Sequence, residues 1–270
     1  MNELTGMHIV VTRPKVQAEP WAERLRTLGA KVSVISLLEI VPVSEETQIR
    51  AVKNRILDFD LYSKAIFVSQ NAVEHGFEWL ENYWPQLPYG VDFFAVGDTT
   101  AKQLQERGVR VTDLAQSQTG SMTSETLLQS PALQSVADER IIIFRGVGGR
   151  PHIGEVLSER GAKVDYCELY ERLLPTASTC AFEQLLVKNQ ESLIVVLHSG
   201  EALENLQKIV RQMTVKPQDI MVNMILLVPS QRIVELAKAA GFIRIIAAQN
   251  ATEASMLQGL LDLKLALASN

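Results

Sequence analysis

The chain has 270 residues, of which 47% are hydrophobic and 21% charged, with a net charge of −5. That is a globular composition, long enough for one large domain or two ordinary ones, and it gives no support for a general nucleic-acid binder, which shows a basic face. Cys167 and Cys180 have no metal-ligand spacing and are too few for a disulfide framework, so a reduced, cytoplasmic protein is expected, without signal peptide or a run of the roughly 18–20 apolar residues that crosses a bilayer.

Short β-rich apolar runs alternate with helical patterns along the whole chain. Strands are expected at His8–Thr12, Lys31–Ser36, Lys64–Ser69, Asp92–Val96, Arg110–Asp113, Arg140–Arg145, Lys163–Cys167, Leu193–His198, Met221–Val228 and Ile243–Ala247. Most are apolar on both faces, as parallel strands covered by helices on either side must be. The intervening helices show i, i+3/i+4 spacing, as in Trp21-Leu25-Leu28 and in Ile233–Ala240. Gly29, Gly108, Gly161 and Gly241 follow helical runs, where a left-handed C-cap favours glycine. A Ser/Thr/Gln-rich stretch, Ser117–Ser135, is expected to be a loop followed by a helix over Met122–Leu128. The fold class is α/β, with two parallel, flavodoxin-like sheets of about five strands.

The chain nearly repeats itself. Residues 9–41 lie over 141–173 without a gap, and ten pairs are identical, among them Ile9/Ile141, Arg13/Arg145, Gly29/Gly161 and Glu39/Glu171. Average composition gives roughly two identities in such a stretch. One β-α-β unit used twice predicts two similar lobes, with a ligand cleft between them. Two extended segments, Leu38–Val43 and Glu168–Pro175, occupy equivalent places and end near proline. They are either ordinary strand ends or two crossings between lobes, paired with each other.

In a parallel α/β sheet, ligands gather at the carboxyl ends of the strands, where the following helices present free N–H groups and a positive dipole end. Ser69, Gly97, Ser199 and Ser230 fall at such ends. So does the loop Arg145-Gly146-Val147-Gly148-Gly149-Arg150. Each is either an N-cap or tight turn, or part of a polyanion site. The glycine loop lacks the third glycine of a dinucleotide fingerprint and the Lys-Ser/Thr of a P-loop. Arg13 and Arg145, equivalent in the repeat, are placed either to fork onto carboxylates or to form surface ion pairs. His8, His75, His152 and His198 show no metal spacing, and no nucleophile–His–acid set is visible. The chain is expected to be cofactor-free and to work by holding and orienting a reactive substrate.

Together, Val11-Thr12-Arg13-Pro14, Phe67-Val68-Ser69-Gln70-Asn71-Ala72-Val73, Ala95–Ala101, Arg145–Arg150 and the Val164–Pro175 segment resemble the uroporphyrinogen-III synthase family, in its order and over essentially the whole chain. The resemblance implies two flavodoxin-like domains, 1–38 with 175–270 and 43–167, joined by linker strands 39–42 and 168–174. It implies cyclisation of the linear tetrapyrrole hydroxymethylbilane, with inversion of the last pyrrole ring through a spiro intermediate and loss of water; a monomer with no membrane or nucleic-acid partner is expected. Tyr170 matches the family's linker tyrosine, either as proton donor to the departing hydroxyl or as packing at the domain junction. Thr100 matches the threonine of its Gly-x-x-Thr motif. Arg13, Ser69, Gln70, Asn71, Gly97, Thr100, Arg145, Arg150, Ser199, Gly200 and Ser230 are the expected substrate-binding residues. The segment Val228–Ile233 departs from the family by placing Ile233 where a second threonine is common. A two-lobed binding protein for an anionic small molecule, without chemistry, is the alternative.

Overall fold

The structure, a computed structural model, describes residues 3–112, 124–188, 192–213 and 217–268. In chain order the elements begin with β1 (His8–Val11), α1 (Lys15–Thr27), β2 (Lys31–Val34), β3 (Glu39–Pro42), α2 (Glu46–Leu57), β4 (Lys64–Phe67) and α3 (Gln70–Tyr83). Next come β5 (Asp92–Ala95), α4 (Asp98–Glu106), α5 (Ser124–Leu128), β6 (Arg140–Gly146), α6 (His152–Glu159) and β7 (Lys163–Leu173). The remainder are α7 (Ala177–Lys188), β8 (Leu193–Val196), α8 (Gly200–Gln212), α9 (Pro217–Val222), β9 (Met224–Val228), α10 (Gln231–Ala239), β10 (Arg244–Ala247) and α11 (Glu253–Ala268).

The chain divides into two units, one of residues 1–39 with 173–270 and the other of residues 40–172. The first holds a sheet ordered β10-β9-β8-β1-β2, and its described pairings are parallel. The second holds a sheet ordered β3-β7-β6-β4-β5, in which β4, β5, β6 and β7 pair in parallel. The central strands β1, β4, β8 and β9 are buried at every residue, because helices cover both faces of each sheet. Each sheet therefore has two cores. In the first unit one gathers around Leu193, Leu226 and Phe182, the other around Trp21, Ile9 and Leu260. In the second unit one is built on Phe67, Phe144 and Phe93, the other on Ile66, Ile141 and Leu157. Phe67 and Phe144 stack at 4.4 Å between ring centroids, the offset geometry that aromatic pairs prefer.

The repeat in the sequence is a repeat in hydrogen bonds. Ile9 sits opposite Val32 on β2, and Ile141 sits opposite Val164 on β7. Gly29 N–H donates to Arg26 O and Gly161 N–H to Ser158 O, both at 2.9 Å, with φ of 92° and 91°. That conformation costs glycine nothing and closes each helix by a left-handed turn. Ala30 and Ala162 then donate to Leu25 O and Leu157 O, both at 3.1 Å.

Some expected boundaries move. The apolar run from Met221 is not one strand: α9 ends at Val222 and β9 begins at Met224. The expected strand Arg110–Asp113 reduces to an isolated bridge between Val111 and Phe93, and Asp113 lies outside the described residues. Of the helix expected over Met122–Leu128, α5 starts at Ser124; Met122 and Thr123 are also outside them.

Candidate functional site

In the second unit the sheet's strand order reverses between β4 and β6, the position where doubly wound sheets bind ligands. Ser69 follows β4 and caps α3. Its backbone is extended (φ −165°, ψ 166°), and its Oγ accepts from Ala72 N–H at 3.1 Å. The same oxygen lies 2.8 Å from the Tyr170 hydroxyl. Tyr170 is only 2% exposed. It reaches this place because β6 and β7 shift register between Arg145 and Gly146, which sets Gly146 opposite Tyr170. A methyl group on Gly146 would fall 2.6 Å from Tyr170 Cε2, so only glycine leaves room for the ring. The His75 ring, further along α3, packs at 5.5 Å from the phenol ring, and its Nδ1 pairs with Glu78 at 3.0 Å.

Gln70 and Asn71 form the first turn of α3, exposed and half-buried respectively. Their amides are among the four that a helix leaves without intrahelical acceptors. Gly97, at φ 92°, precedes α4 and offers no side-chain cap. Thr100 stands in the first turn of that helix and is 2% exposed.

Arg145 does not form the surface ion pair that is one of its two expected placements. It is 5% exposed. Its Nε donates to Gly146 O at 3.3 Å and lies 3.9 Å from Glu168 Oε1, while its guanidinium covers the Tyr166 ring at 4.6 Å. A methyl group on Gly149 would fall 2.6 Å from Arg145 Nη2. The glycines of the 145–150 loop thus make room for a buried arginine and a buried tyrosine. Glu168 also accepts from Gly148 N–H at 3.3 Å and steadies the loop. Arg150 is exposed.

In the first unit the strand order reverses between β1 and β8. Ser199 caps α8 as Ser69 caps α3: φ is −157°, ψ is 164°, and its Oγ accepts from Ala202 N–H at 3.1 Å. Gly200 opens that helix. Ser230 precedes α10 with extended backbone but makes no side-chain cap. Ile233 occupies in α10 the first-turn place that Thr100 has in α4, and it is buried. Arg13, past the end of β1, donates to Ala251 O at 3.2 Å and pairs with Glu253 at 3.4 Å.

Two features had no visible sequence signal. His198 stands edge-on to Trp21 at 5.5 Å, and both its ring nitrogens and Trp21 Nε1 are buried without a partner among the described residues. Burial, with the Arg13 charge adding to it, pushes this imidazole down to about 3. Near the opposite ends of β4, β6 and β7, Tyr62 Oη donates to Asp165 at 2.9 Å while Arg140 covers the Tyr62 ring at 4.8 Å. Burial and the Asp165 carboxylate push the Tyr62 hydroxyl up. Cys167 is fully buried, and its thiol is pushed up to about 12 by desolvation, which makes it a poor nucleophile. Cys180 is exposed.

Two mostly parallel α/β sheets, each with helix N-termini at its carboxyl edge, define a doubly wound protein. Comparison with known proteins narrows that class. Residues 19–258 match the family described as uroporphyrinogen-III synthase HemD. The uroporphyrinogen-III synthase of Escherichia coli K12 is 34% identical over 264 residues, covering 94% of this chain and all of that one; the Salmonella typhimurium enzyme is 32% identical over 254 residues, with the same coverage. Among solved structures, a mutant uroporphyrinogen III synthase from Thermus thermophilus superposes with a TM-score of 0.60 at 17% identity, covering 98% of this chain and 100% of that one. The uroporphyrinogen-III synthetase of Helicobacter pylori gives 0.58 at 17%, covering 97% and 99%. These last two show the shared fold. The chain belongs to the uroporphyrinogen-III synthase family.

Proposed function

We propose that Tyr170 is the proton donor when this chain closes hydroxymethylbilane to uroporphyrinogen III, and that the helix N-termini of its two sheets hold the substrate's carboxylates. The activity itself follows from the family: the chain is a cofactor-independent lyase of porphyrin biosynthesis. The assignment of roles is our reading, and the observation that carries it is the 2.8 Å contact between the Tyr170 and Ser69 hydroxyls at the strand-order reversal of the second sheet.

Loss of the substrate's hydroxyl requires a proton on the departing oxygen and leaves an azafulvene cation. A positioned phenol supplies that proton. Burial of Tyr170 keeps bulk water from the phenol and strengthens its hydrogen bonds. Substrate therefore reaches it only when the groups covering it part. The free amides of Gln70 and Asn71, the Gly97–Thr100 turn, Gly200 and the turn after Ser230 accept carboxylates. Arg150 and Arg13 add positive charge. Arg145, held inside by Gly146 O and Glu168, shapes the loop that carries Arg150. We place the protein in the cytoplasm as a monomer without nucleic-acid or membrane partner. Its net charge of −5 gives no support for a general nucleic-acid partner, and among the described residues no helix is long and apolar enough to cross a membrane.

The test is conversion of hydroxymethylbilane with identification of the isomer formed. Type III product is expected, and only spontaneous type I product, with protein in excess, would overturn the activity. Tyr170→Phe is expected to lower turnover on the order of a hundredfold while leaving some. Undiminished turnover would remove Tyr170 from the mechanism.

A further inference from the structure

Resting on Tyr170 as proton donor, we infer that Ser69 is a positioning residue that orients the Tyr170 hydroxyl and stabilises its phenolate. A serine hydroxyl has one proton to give and two lone pairs. One lone pair of Ser69 Oγ is taken by Ala72 N–H at 3.1 Å. The contact to Tyr170 Oη at 2.8 Å has two senses. In one, the phenol donates to Ser69 and has no proton to offer elsewhere. In the other, Ser69 donates to the phenol oxygen, and the phenol proton is free for substrate. The second sense extends a chain from the α3 N-terminus through Ala72 N–H and Ser69 O–H to Tyr170 Oη. Hydrogen bonds in such a chain polarise one another, and the helix end favours the anion that remains.

The step balances. The Tyr170 O–H bond breaks as its proton passes to the hydroxymethyl oxygen. The substrate's C–O bond breaks with its electron pair leaving on water. The phenolate accepts from Ser69 O–H until it takes back the proton released as the closing ring regains pyrrole aromaticity.

The duplication isolates what is special here. Ser199 has the same extended backbone and the same cap as Ser69. Yet the position equivalent to Tyr170, 132 residues earlier, is Leu38, and the position equivalent to Gly146 is Pro14. On α8, Asn205 stands where α3 has His75, and Lys208 where it has Glu78. Asn205 is spent on Leu37 O at 2.8 Å, whereas His75 faces the Tyr170 ring. The first unit thus retains the capping serine without a phenol, and only the second unit joins the two.

A cap that merely holds α3 would lower stability alike with or without the phenol. The experiment is therefore a double-mutant cycle on the full chain, reading kcat and KM with hydroxymethylbilane. Ser69→Ala is expected to lower kcat on the order of tenfold, the worth of one hydrogen bond to a charged group, with the loss in kcat rather than KM. In the Tyr170→Phe background the same change is expected to cost nothing further in kcat. Ser69→Thr, which keeps the donor, is expected to restore kcat. Ser69→Asp keeps a helix cap but has no proton to give; it is expected to fold and to be as slow as Ser69→Ala, which keeps the test decisive if the alanine variant does not fold. Equal kcat losses from Ser69→Ala in both backgrounds, or no loss in either, would overturn the inference while leaving Tyr170 as donor. Full activity of Tyr170→Phe would overturn both.

Discussion

His198 shows how a single residue couples this fold to pH. Its imidazole is neutral in the folded chain because burial and the nearby Arg13 charge hold its ionisation down to about 3, against the ordinary value near 6.5. Between those limits the unfolded chain binds a proton that the folded chain refuses, so stability rises with pH across the window and falls on acidification. The stability is fully present above about pH 6.5 and is lost progressively toward pH 3, on the order of a few kcal/mol. His198→Phe preserves an aromatic ring against Trp21 and removes two buried, unpartnered nitrogens. It is expected to stabilise the protein at pH 5 more than at pH 8, and urea unfolding at the two pH values checks this. Equal effects at both would show that the imidazole's charge is not what links stability to acid. The sequence places His198 at the end of a strand, but neither its pairing with Trp21 nor its proximity to Arg13 is legible there. Both contacts join segments far apart in the chain.

Among the elements, the β6–β7 pair carries the candidate site because its ladder is irregular. The register shift between Arg145 and Gly146 brings Gly146 beside Tyr170, and the loop beyond it folds back on the Arg145 guanidinium. In sequence, the 146–149 glycines suggest either a tight turn or part of an anion site. Their observed use is steric and follows from which side chains arrive opposite, which spacing alone does not encode. Gly146→Ala is expected to destabilise the protein by about 1–3 kcal/mol, as forced overpacking does. It is also expected to lower kcat by displacing the phenol from Ser69. Denaturant unfolding and steady-state turnover measure the two effects separately, and a stable, fully active variant would show that the ring has room to move. The strands themselves were far more legible. Their continuous apolar runs state burial on both faces, and the matched Gly29 and Gly161 turns state where helices stop. Met221 misleads because α9 delivers an apolar residue just ahead of β9, so the hydrophobic run crosses an element boundary. Tyr170 and Thr100 stand out only through resemblance to a family, since nothing in their local spacing marks a phenol or a threonine as chemical.

Across the chain as a whole, one spatial order is reached by two chain orders. In the first unit the strands run β2-β1-β8-β9-β10; in the second the equivalent series is β7-β6-β4-β5 with the Val111 bridge in the last place. The chain enters the second unit midway through that series and leaves after β7, so one sheet is a circular permutation of the other, with β3 added at its edge. Gapless alignment at a shift of 132 joins the β1–α1–β2 and β6–α6–β7 copies, and Ser69 and Ser199 lie 130 apart, so the sequence repeat runs on at a slightly different shift while the order of strands in the two sheets is permuted. Each of the four apolar cores draws its residues from one unit alone. The second unit is also contiguous, residues 40–172, and a domain with its own core and continuous chain has what it needs to fold alone. A fragment of residues 40–172 is therefore expected to unfold cooperatively in urea, with the far-UV signal of a mixed α/β protein. The β4–β6 pairing and the Phe67–Phe144 stack are internal to the fragment. A Phe144→Ala change within it is expected to cost about 3–5 kcal/mol and abolish the transition. A non-cooperative baseline from the unmutated fragment would show that the two units fold only as one.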